Sequence, residues 1–522
     1  MAASPPTDPS DAARSGTEAP PAGFRRWIGQ SWTRLGVRPS GEARGWLSIS
    51  RVFIRAGLIA IPIGLVAGLG AVAFYFLWFQ ATGFFLGTIV GITYPQAGAP
   101  AGGIVVWNSS FPRILLLPAI MGLGGLATGL IAQRLAREVG GDGTDGTIHA
   151  FHRQDGRIRF RVPILRIIAA SLTLGTGGAG GREGPSSQIG GGFGSWWGTV
   201  LNLSTKERRI ALATGLGAGV GAIFRAPLGG AIYAAEIFYT QDFEPEVFFP
   251  AIVASVISYS VYGSFYGFAT LFALPSGGID WNIPQIPLYG LLGLVCAGVG
   301  VLFVRLFQRT RRWFELQPWP IALRVTFGMF VASLLVLAVY FALPWGNHFA
   351  ALASLNVGYG FVQAAMLGQI GLATLVPLSL TAILVTIVLR MTTTSLTVGS
   401  GGAAGLFGTS VVLGGLIGTA IGAIFHSVAP SVVSVPEISA FAVVGMMTFF
   451  GGISKAPLAV LVMVVEMTGS YSLLVPAMLS IFVAYIATGP SQIFSEQERT
   501  RLDSPAHREE YAEYLLKNRP SE

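Results

Sequence analysis

Long, continuously apolar segments recur along this chain from about Val52 to Glu496. Examples are LIAIPIGLVAGLGAVAFYFLW, ILLLPAIMGLGGLATGLIA, LYGLLGLVCAGVGVLFV and LSLTAILVTIVL. About 20 such residues are enough to cross the hydrocarbon core of a bilayer as a helix, whereas barrel strands would alternate over about 10 residues. Only 11% of the 522 residues are charged and 52% are hydrophobic, which excludes an ordinary soluble enzyme. The sequence predicts an all-α polytopic membrane protein.

The two ends of the chain differ from this apolar middle. Residues 1–47 are rich in Pro, Ala and Ser and predict a disordered cytoplasmic tail. Its basic, aromatic end, RRWIGQSWTRLGVRP, favours a cytoplasmic N-terminus next to the first span. Residues 48–490 are predicted to form the transmembrane domain, in halves of about 50–270 and 285–490. The polar residues 491–522 are predicted to be a short cytoplasmic tail, which gives a multi-pass protein of the plasma (inner) membrane.

Charge and cysteine content indicate neither nucleic acid nor a cofactor. The net charge of +8 is spread along the loops, without the arginine and aromatic array of a nucleic-acid site. The single cysteine, Cys296, lies in an apolar run and excludes an intrachain disulfide. The lipid bilayer is therefore the partner that composition predicts.

The middle of the chain contains an internal repeat. TGGAGGREGPSSQIGG (Thr176–Gly191) matches SGGAAGLFGTSVVLGG (Ser400–Gly415) without a gap, so all matched residues share one constant offset, that from Thr176 to Ser400. Downstream, APLGGAIYAAE (Ala226–Glu236) matches APLAVLVMVVE (Ala456–Glu466) at almost the same offset. Two motifs in the same order at nearly equal offsets predict the inverted halves that many transporters have. We call the step from Thr176 to Ser400 the repeat offset.

Each copy of the repeat interrupts an apolar stretch with glycine-rich backbone, which a membrane tolerates only where it is buried or lines a wet cavity. A helix that restarts after such a break directs free N–H groups at the cavity, which suits an anion. We expect Gly184 and Gly408 to lie close together, each at the start of a helix. Arg182 and Glu183 are costly inside a bilayer. They either neutralise each other or lie outside the hydrocarbon, or else Glu183 is a protonatable gate in an anion pathway.

The same residues resemble a known family. GREGPSSQIGG is similar to the central signature of the CLC family of chloride channels and proton-coupled chloride transporters. SGGAAGLFGTSVVLGG resembles its second-half anion loop, and ISKAPLAVLVMVVEMTGSY its late helix, so the resemblance runs from about Ala56 to Pro505. It implies a homodimer with one pore per subunit, built from tilted, broken helices in two inverted halves. It also implies that chloride or another small anion is transported, with Glu183 as the external gate.

The resemblance also assigns anion ligands. They are Arg182, Gly184, Pro185, Gly405, Leu406, Phe407 and Gly408 around the two glycine-rich breaks, and Asp142, Gly143, Thr144 and Phe494 elsewhere. In the early motif GDGTD, Asp142 stands where the family usually has a serine. An ionised carboxylate there would repel an anion, so three interpretations are open. Asp142 turns away, or it is protonated, or Thr144 supplies the hydroxyl.

Three further departures affect ion ligation or proton transfer. Thr409 replaces a proline of the second-half motif and aligns with Pro185. Phe494 replaces the inner tyrosine, and Ile237, beside Glu236, replaces the glutamate that carries protons in coupled members. These changes favour a passive or loosely coupled pathway, unless Glu236 or Asp142 supplies a new proton route. The alternatives are a tightly coupled antiporter or a variant selective for bicarbonate, nitrate or fluoride.

Other functions fit these motifs less well. GTGGAG (Gly175–Gly180) matches the dinucleotide pattern, but no acidic residue follows about 20 positions later. A membrane hydrolase using Ser186 and Ser187 lacks a histidine that the sequence places beside them.

A metal site is also considered. Asp142, Asp145, His149 and His152 carry ligand atoms, but they stand next to the arginine-rich loop HRQDGRIRFR. We expect these side chains to be solvated rather than bound to a metal.

Overall fold

The computed structural model describes residues 41–93, 97, 108–275, 279–344, 349–367 and 379–508. The chain divides into two units, Met1–Arg55 and Ala56–Glu522, and every contact described below lies within the second. Of the predicted tail 1–47, residues 1–40 lie outside the described part. Residues 41–47 belong to the first helix instead, because Glu, Ala, Arg and Leu favour helix there.

The first half of the chain is helical throughout its described residues, except for connecting turns and one pair of two-residue strands. Its helices are α1 (Gly41–Thr82), α2 (Leu117–Arg134), α3 (Gly143–Arg153), α4 (Arg161–Gly175), α5 (Glu183–Val200), α6 (Thr205–Phe224), α7 (Pro227–Glu236) and α8 (Pro245–Tyr266). A π-helical turn, Gly83–Val90, continues α1, and short 3-10 turns cover Arg113–Leu116 and Arg137–Val139. The antiparallel strands β1 (Ile92–Thr93) and β2 (Asn108–Ser109) pair Ile92 with Ser109.

The second half repeats this pattern. Its helices are α9 (Ile286–Leu316), α10 (Ile321–Ala342), α11 (Phe349–Leu352), α12 (Tyr359–Met366), α13 (Leu380–Gly399), α14 (Phe407–Val428), α15 (Ile438–Ser454), α16 (Pro457–Thr468) and α17 (Leu474–Ala487). Short 3-10 turns cover Ile283–Gln285, Tyr471–Leu473 and Pro505–His507.

Seven helical stretches of the described residues are long and apolar enough to cross a membrane. They are Gly57–Val90, Arg113–Arg134, Pro245–Tyr266, Ile283–Leu316, Ile321–Ala342, Leu380–Gly399 and Phe407–Val428. Other apolar helices, such as α7 with 10 residues and α16 with 12, are too short to span the bilayer by themselves. The predicted all-α, multi-pass architecture with broken helices is confirmed.

Glycine allows the central helices of each half to pack with their backbones almost in contact. A side-chain carbon added to Gly190 on α5 would lie 2.0 Å from the carbonyl oxygen of Gly215 on α6. In the second half, one added to Gly414 on α14 would lie 2.2 Å from the carbonyl oxygen of Gly445 on α15. Gly190 and Gly414 are separated by the repeat offset, so the repeat determines helix packing as well as the loops.

Residues 491–508 pack against the helices and do not form the separate tail that was predicted for 491–522. The Ile493 N–H donates to the carbonyl of Ile453 at 2.9 Å, and the Gln497 amide donates to the carbonyls of Ile237 and Ser454. Ile493 and Phe494 are buried. These two apolar residues anchor the segment, although the polar residues around them make it look like a solvent-exposed tail in the sequence. Residues 509–522 lie outside the described part.

Ionisable groups outside the membrane-spanning helices fasten this C-terminal segment. His149 binds Glu496 at 2.8 Å, and His152 binds Ser504 at 2.7 Å. Burial opposes ionisation of Glu496, but the His149 hydrogen bond and the Arg153 charge lower its pKa below the ordinary value. Burial lowers the pKa of His152 to about 4, so this histidine is neutral at pH 7.

Candidate functional site

The two glycine-rich breaks cross each other at the centre of the molecule. Gly181 and Gly405 form an antiparallel bridge, with their N–H groups donating to each other's carbonyls at 2.7 and 2.9 Å. A side-chain carbon on Gly184 would lie 2.7 Å from Cα of Gly405, and one on Gly408 would lie 2.7 Å from Cα of Gly181. The structure therefore brings together the N-termini of α5 and α14, as the repeat predicts. We call this region the Gly181–Gly405 crossing.

Reciprocal hydrogen bonds hold the crossing. The Ala403 N–H donates to the Thr173 hydroxyl at 3.1 Å, and the Ala179 N–H donates to the Thr397 hydroxyl at 3.2 Å. The two alanines, and likewise the two threonines, are related by the repeat offset. The two breaks thus support each other with the same contacts in both directions.

Two buried arginines also hold the crossing, and the sequence reasoning missed them. Arg166 on α4 donates to the carbonyls of Val139 and Gly141 and, at 3.5 Å, to that of Ala404. Both Arg166 and Arg390 on α13 are fully buried. They are separated by the repeat offset, so extending the repeat upstream would have found them.

Arg390 satisfies more of the backbone than Arg166 does. Its guanidinium donates to the carbonyls of Leu355, Asn356, Val357 and Gly180 and to the hydroxyl of Thr409. Thr409 therefore acts as an acceptor for this arginine, which a proline could not do with its side chain. This contact gives a physical reason for the departure from the family motif.

Glu183 lies at the crossing and is completely buried. Its Oε1 accepts a hydrogen bond from the N–H of Phe407, the first residue of α14, and the N–H of Gly408 also faces the carboxylate. The positive end of α14 stabilises a negative group at this position. The carboxylate thus occupies a helix N-terminus whose N–H groups suit a negatively charged group.

Arg182 points to a different environment from its neighbour Glu183. Its guanidinium carbon lies 4.9 Å from the ring centre of Tyr359 and 5.4 Å from that of Trp78, with Tyr75 at 5.9 Å. Its Nε and Nη2 atoms are buried without a hydrogen-bond partner. The positive charge of Arg182 is therefore stabilised by the faces of aromatic rings. Its Nε and Nη2 donors remain available to an anion.

The early motif adds a third helix N-terminus. Asp142 caps α3, with Oδ1 accepting from the N–H groups of Thr144 at 2.7 Å and Asp145 at 3.2 Å. The Thr144 hydroxyl donates to Ser187 at 3.2 Å. A side-chain carbon on Gly143 would lie 2.1 Å from the carbonyl oxygen of Gly184. Oδ1 of Asp142 thus turns towards its own helix, whereas Oδ2 has no hydrogen-bond partner.

Aromatic rings cover the crossing beside Phe407. The Phe407 ring lies 4.6 Å from those of Phe224 and Phe450, and Phe450 lies 6.2 Å from Phe494. Phe494 is buried and extends this apolar cluster. The remaining predicted ligands, Pro185 and Leu406, are buried in the first turn of α5 and just before α14.

Glu236 has a structural role at another helix terminus. Its two oxygens accept from the N–H groups of Leu458 at 3.2 Å and Ala459 at 2.7 Å, at the start of α16. Glu466 caps α7 in the same way, through Leu228 and Gly229. Both oxygens of Glu236 therefore accept N–H groups at the start of α16, and the side chain of the neighbouring Ile237 is buried.

Two cavities that share no lining residue approach the crossing. The Asp142 cavity, about 460 Å³, is lined by Asp142, Asp145, Gln188, Leu406, Ile493 and Glu496 among others. The Arg182 cavity, about 350 Å³, is lined by Tyr75, Trp78, Arg182, Arg225, Tyr262 and Tyr359 among others.

Helix α8 runs from the C-terminal segment to the Arg182 cavity. It begins next to Glu244, which contacts His507 of the C-terminal segment, on the side of the Asp142 cavity. It ends near Tyr262 and Tyr266, which line the Arg182 cavity, after 22 residues or about 33 Å. Glu183 lies between the two cavities.

The residues considered for a metal site and for hydrolysis have other partners. Asp145 and His152 are buried, so the expectation that they are solvated is wrong for these two. Asp145 pairs with Arg311 at 2.9 Å, and the Ser186 hydroxyl donates to the carbonyl of Arg182 at 2.9 Å. The described part of the chain contains no group of three His, Cys, Asp or Glu residues placed to hold a metal ion.

Comparisons with known proteins agree with this architecture. A family model described as voltage gated chloride channel matches residues 124–489. The chain is 28% identical over 392 residues to "Putative chloride channel protein ClcB-like" of Ralstonia nicotianae, covering 73% of this chain and 84% of the relative. It is 31% identical over 376 residues to "H(+)/Cl(-) exchange transporter ClcA" of Yersinia pestis, covering 72% and 73% respectively.

A solved structure shares the fold. The structure of a slow cyanobacterial Cl⁻/H⁺ antiporter superimposes with a TM-score of 0.67 at 20% identity, over 84% of this chain and 96% of that one. The family model covers well over half of the chain. On this evidence, the chain belongs to the voltage-gated chloride channel family, the CLC family of anion transport proteins.

Proposed function

We propose that this protein exchanges chloride, or a similar small anion, for protons across a membrane, with Glu183 as the group that carries the proton at the gate. The observation that carries the proposal is the buried Glu183 carboxylate on the N–H of Phe407, at the junction of two helix N-termini. A carboxylate in an anion site competes with the anion, and protonation removes that competition. One residue thereby links proton binding to anion entry.

The arrangement of charges supports a path from one cavity to the other. The free donors of Arg182 attract an anion into the Arg182 cavity, and the N–H groups at the start of α14 receive it when Glu183 becomes neutral. The anion then leaves through the Asp142 cavity past Leu406. Backbone N–H donors discriminate weakly among small anions, so chloride, bicarbonate and nitrate are all candidate substrates. Fluoride is a further candidate, because one protein of similar fold is a fluoride/proton antiporter.

The test is transport by the purified protein in liposomes. A chloride gradient should drive protons uphill, and the reversal potential under a pH gradient should follow a fixed proton-to-anion ratio. Repeating the assay with bromide, nitrate, bicarbonate and fluoride identifies the substrate. A reversal potential that depends on the anion gradient alone would refute exchange.

A passive anion pathway is the second candidate, and a specific observation favours it. Ile237 cannot bind a proton, Phe494 lacks a hydroxyl, and both oxygens of Glu236 accept helix N–H groups. The sequence alone favoured this passive or loosely coupled pathway. The named exchangers among the relatives favour coupling instead, and the reversal potential distinguishes the two.

The Asp142 cavity faces the cytoplasm in this proposal, because arginines are concentrated around it, in agreement with the positive-inside rule. Arg137, Arg311 and Arg324 line that cavity. Since the single native cysteine, Cys296, is buried, added cysteines can report orientation. Gln154→Cys should be protected from a membrane-impermeant maleimide in intact cells, and Thr270→Cys should be labelled. The reverse pattern would invert the assignment.

Two copies of the chain form the transporter in this proposal, each with its own pathway. Large apolar side chains on α8 and α17, such as Val256, Phe265, Val475 and Phe482, are exposed and offer a face for a second copy or for lipid. Cross-linking in native membranes should give a dimer. Recovery of monomer alone after cross-linking would contradict this assembly.

A further inference from the structure

Two carboxyl groups near the crossing each leave one oxygen free. Asp142 Oδ1 and Glu183 Oε1 accept helix N–H groups, whereas Asp142 Oδ2 and Glu183 Oε2 are buried without a hydrogen-bond partner. A protonated carboxyl carries its hydrogen on one oxygen and still accepts with the other. Each group can therefore take up a proton on its free oxygen before the hydrogen bond of its other oxygen is broken.

Asp142 lies between the cytoplasmic-side cavity and Glu183. It lines the Asp142 cavity and is partly exposed, although its Oδ2 atom is buried. The next residue, Gly143, is in backbone contact with Gly184, which directly follows Glu183. The two carboxyl groups are within electrostatic range of each other. The backbone contact between Gly143 and Gly184 thus links the Asp142 end of α3 to the residue that follows Glu183.

The other ionisable groups around Asp142 suit a transfer. Asp145, on the same helix, is paired with Arg311. Arg166 of α4 is held by backbone carbonyls and faces both carboxyl groups. The Tyr233 hydroxyl of α7 is buried without a hydrogen-bond partner and lies within electrostatic range of Asp142 and Glu183. A tyrosine hydroxyl can both accept and donate a hydrogen bond.

We propose that Asp142 is the residue that carries protons between the Asp142 cavity and Glu183, in place of the glutamate that is missing at Ile237. A proton from cavity water binds Oδ2 of Asp142 and then passes to Oε2 of Glu183, which returns Asp142 to the carboxylate. The neutral Glu183 releases the Phe407 N–H, and an anion takes its place. This inference rests on the proposed function, because it describes how protons reach Glu183 during proton–anion exchange.

The test compares proton and chloride movement by the full-length protein in liposomes, recorded together with a pH electrode and a chloride electrode. Asp142→Asn should lower the number of protons moved per chloride at least about tenfold, as expected when a proton-transferring group is removed. The asparagine oxygen can still cap α3, so the fold is kept. Asp142→Ser, which also caps a helix, gives the same test if the asparagine variant does not fold.

Glu138→Gln is the matched control. Glu138 lines the same cavity but is paired with Arg159 at its exposed surface, so this variant should keep the wild-type ratio. An unchanged ratio in Asp142→Asn overturns the inference while leaving exchange intact. A wild-type protein that moves no protons overturns the proposed function and the inference together.

Discussion

The two glycine-rich breaks have the same backbone frame but different side chains at its tip. Each break is held by a buried arginine and a threonine hydroxyl that are related to their counterparts by the repeat offset. At the tip, however, the first break carries Arg182 and Glu183, and the second carries Leu406 and Phe407. A second carboxylate in place of Phe407 would repel Glu183 at short range. The frame therefore provides N–H donors from both halves, while one half alone supplies the titratable charge.

Removing the shared frame should have the largest effect. Arg390→Ala leaves the carbonyls of Gly180, Leu355 and Val357 without their donor, and each buried, unsatisfied carbonyl costs about 1–3 kcal/mol. We expect a loss of more than about 4 kcal/mol and little folded protein in detergent. Arg166→Ala, with fewer acceptors, should lose about 3 kcal/mol. The stability loss of both variants is measured by thermal unfolding, with size-exclusion chromatography used to detect the remaining folded protein.

Arg312→Ala is the control for these variants, because Arg312 is exposed on α9 and should melt with the wild type. If Arg390→Ala also melts with the wild type, the two arginines are not the support of the crossing.

The difference between these arginines and the glycine motifs explains what the sequence could predict. Thr176–Gly191 and Ser400–Gly415 align without gaps, so their close approach followed from the repeat alone. Arg166 and Arg390 obey the same offset, but a single charge in an apolar helix gives no sign that its partners are backbone carbonyls distant in sequence. A search for identical residues separated by the repeat offset outside the glycine motifs would have identified both arginines.

Side-chain direction was less predictable than backbone position. Nothing in GDGTD tells whether Asp142 points to the pathway or to its own helix, because the result depends on the free N–H groups of Thr144 and Asp145. Similarly, nothing in the sequence tells that the carboxylate of Glu236 accepts N–H groups at the start of α16. Residues 491–508 look like a polar tail because their few apolar contacts and many backbone bonds are formed with distant elements.

Glu183→Gln tests whether the titratable charge comes from the first half alone. Anion flux in the wild type should rise as the pH falls, because a neutral Glu183 no longer holds the Phe407 N–H against the anion. Glutamine is neutral at every pH, so the variant should show a flat profile near the acid limit. Proton transport should fall roughly 100-fold with loss of the acid–base group. Liposome flux at a series of pH values measures both quantities.

Glu138→Gln is the control and should keep the wild-type profile, because the Glu138 carboxylate is paired with the exposed Arg159. If Glu183→Gln retains the pH slope, another group is the gate and the asymmetry between the halves has been assigned to the wrong residue.

The second reciprocal pair, Glu236 and Glu466, should behave symmetrically. Each accepts two N–H groups at the start of the other half's helix, at matching distances of 2.7 and 3.2 Å. Glu236→Gln and Glu466→Gln each lose a charge-assisted cap and should cost about 1–2 kcal/mol with no change in the proton-to-anion ratio. Thermal unfolding and paired flux are the measurements. A change of ratio in Glu236→Gln alone would return that residue to the proton route.

The smallest effects should come from the threonines that tie the crossing. Thr173→Val and Thr397→Val keep shape but remove the acceptors for the Ala403 and Ala179 N–H groups, at about 1 kcal/mol each. Thr173 also binds the Thr128 hydroxyl at 3.0 Å, so Thr173→Val should unfold at a lower temperature than Thr397→Val. Thr392→Val, on the exposed side of α13, is the control. Because both bonds support one crossing, the double variant should deviate from additivity, and strict additivity would indicate that the two breaks are held independently.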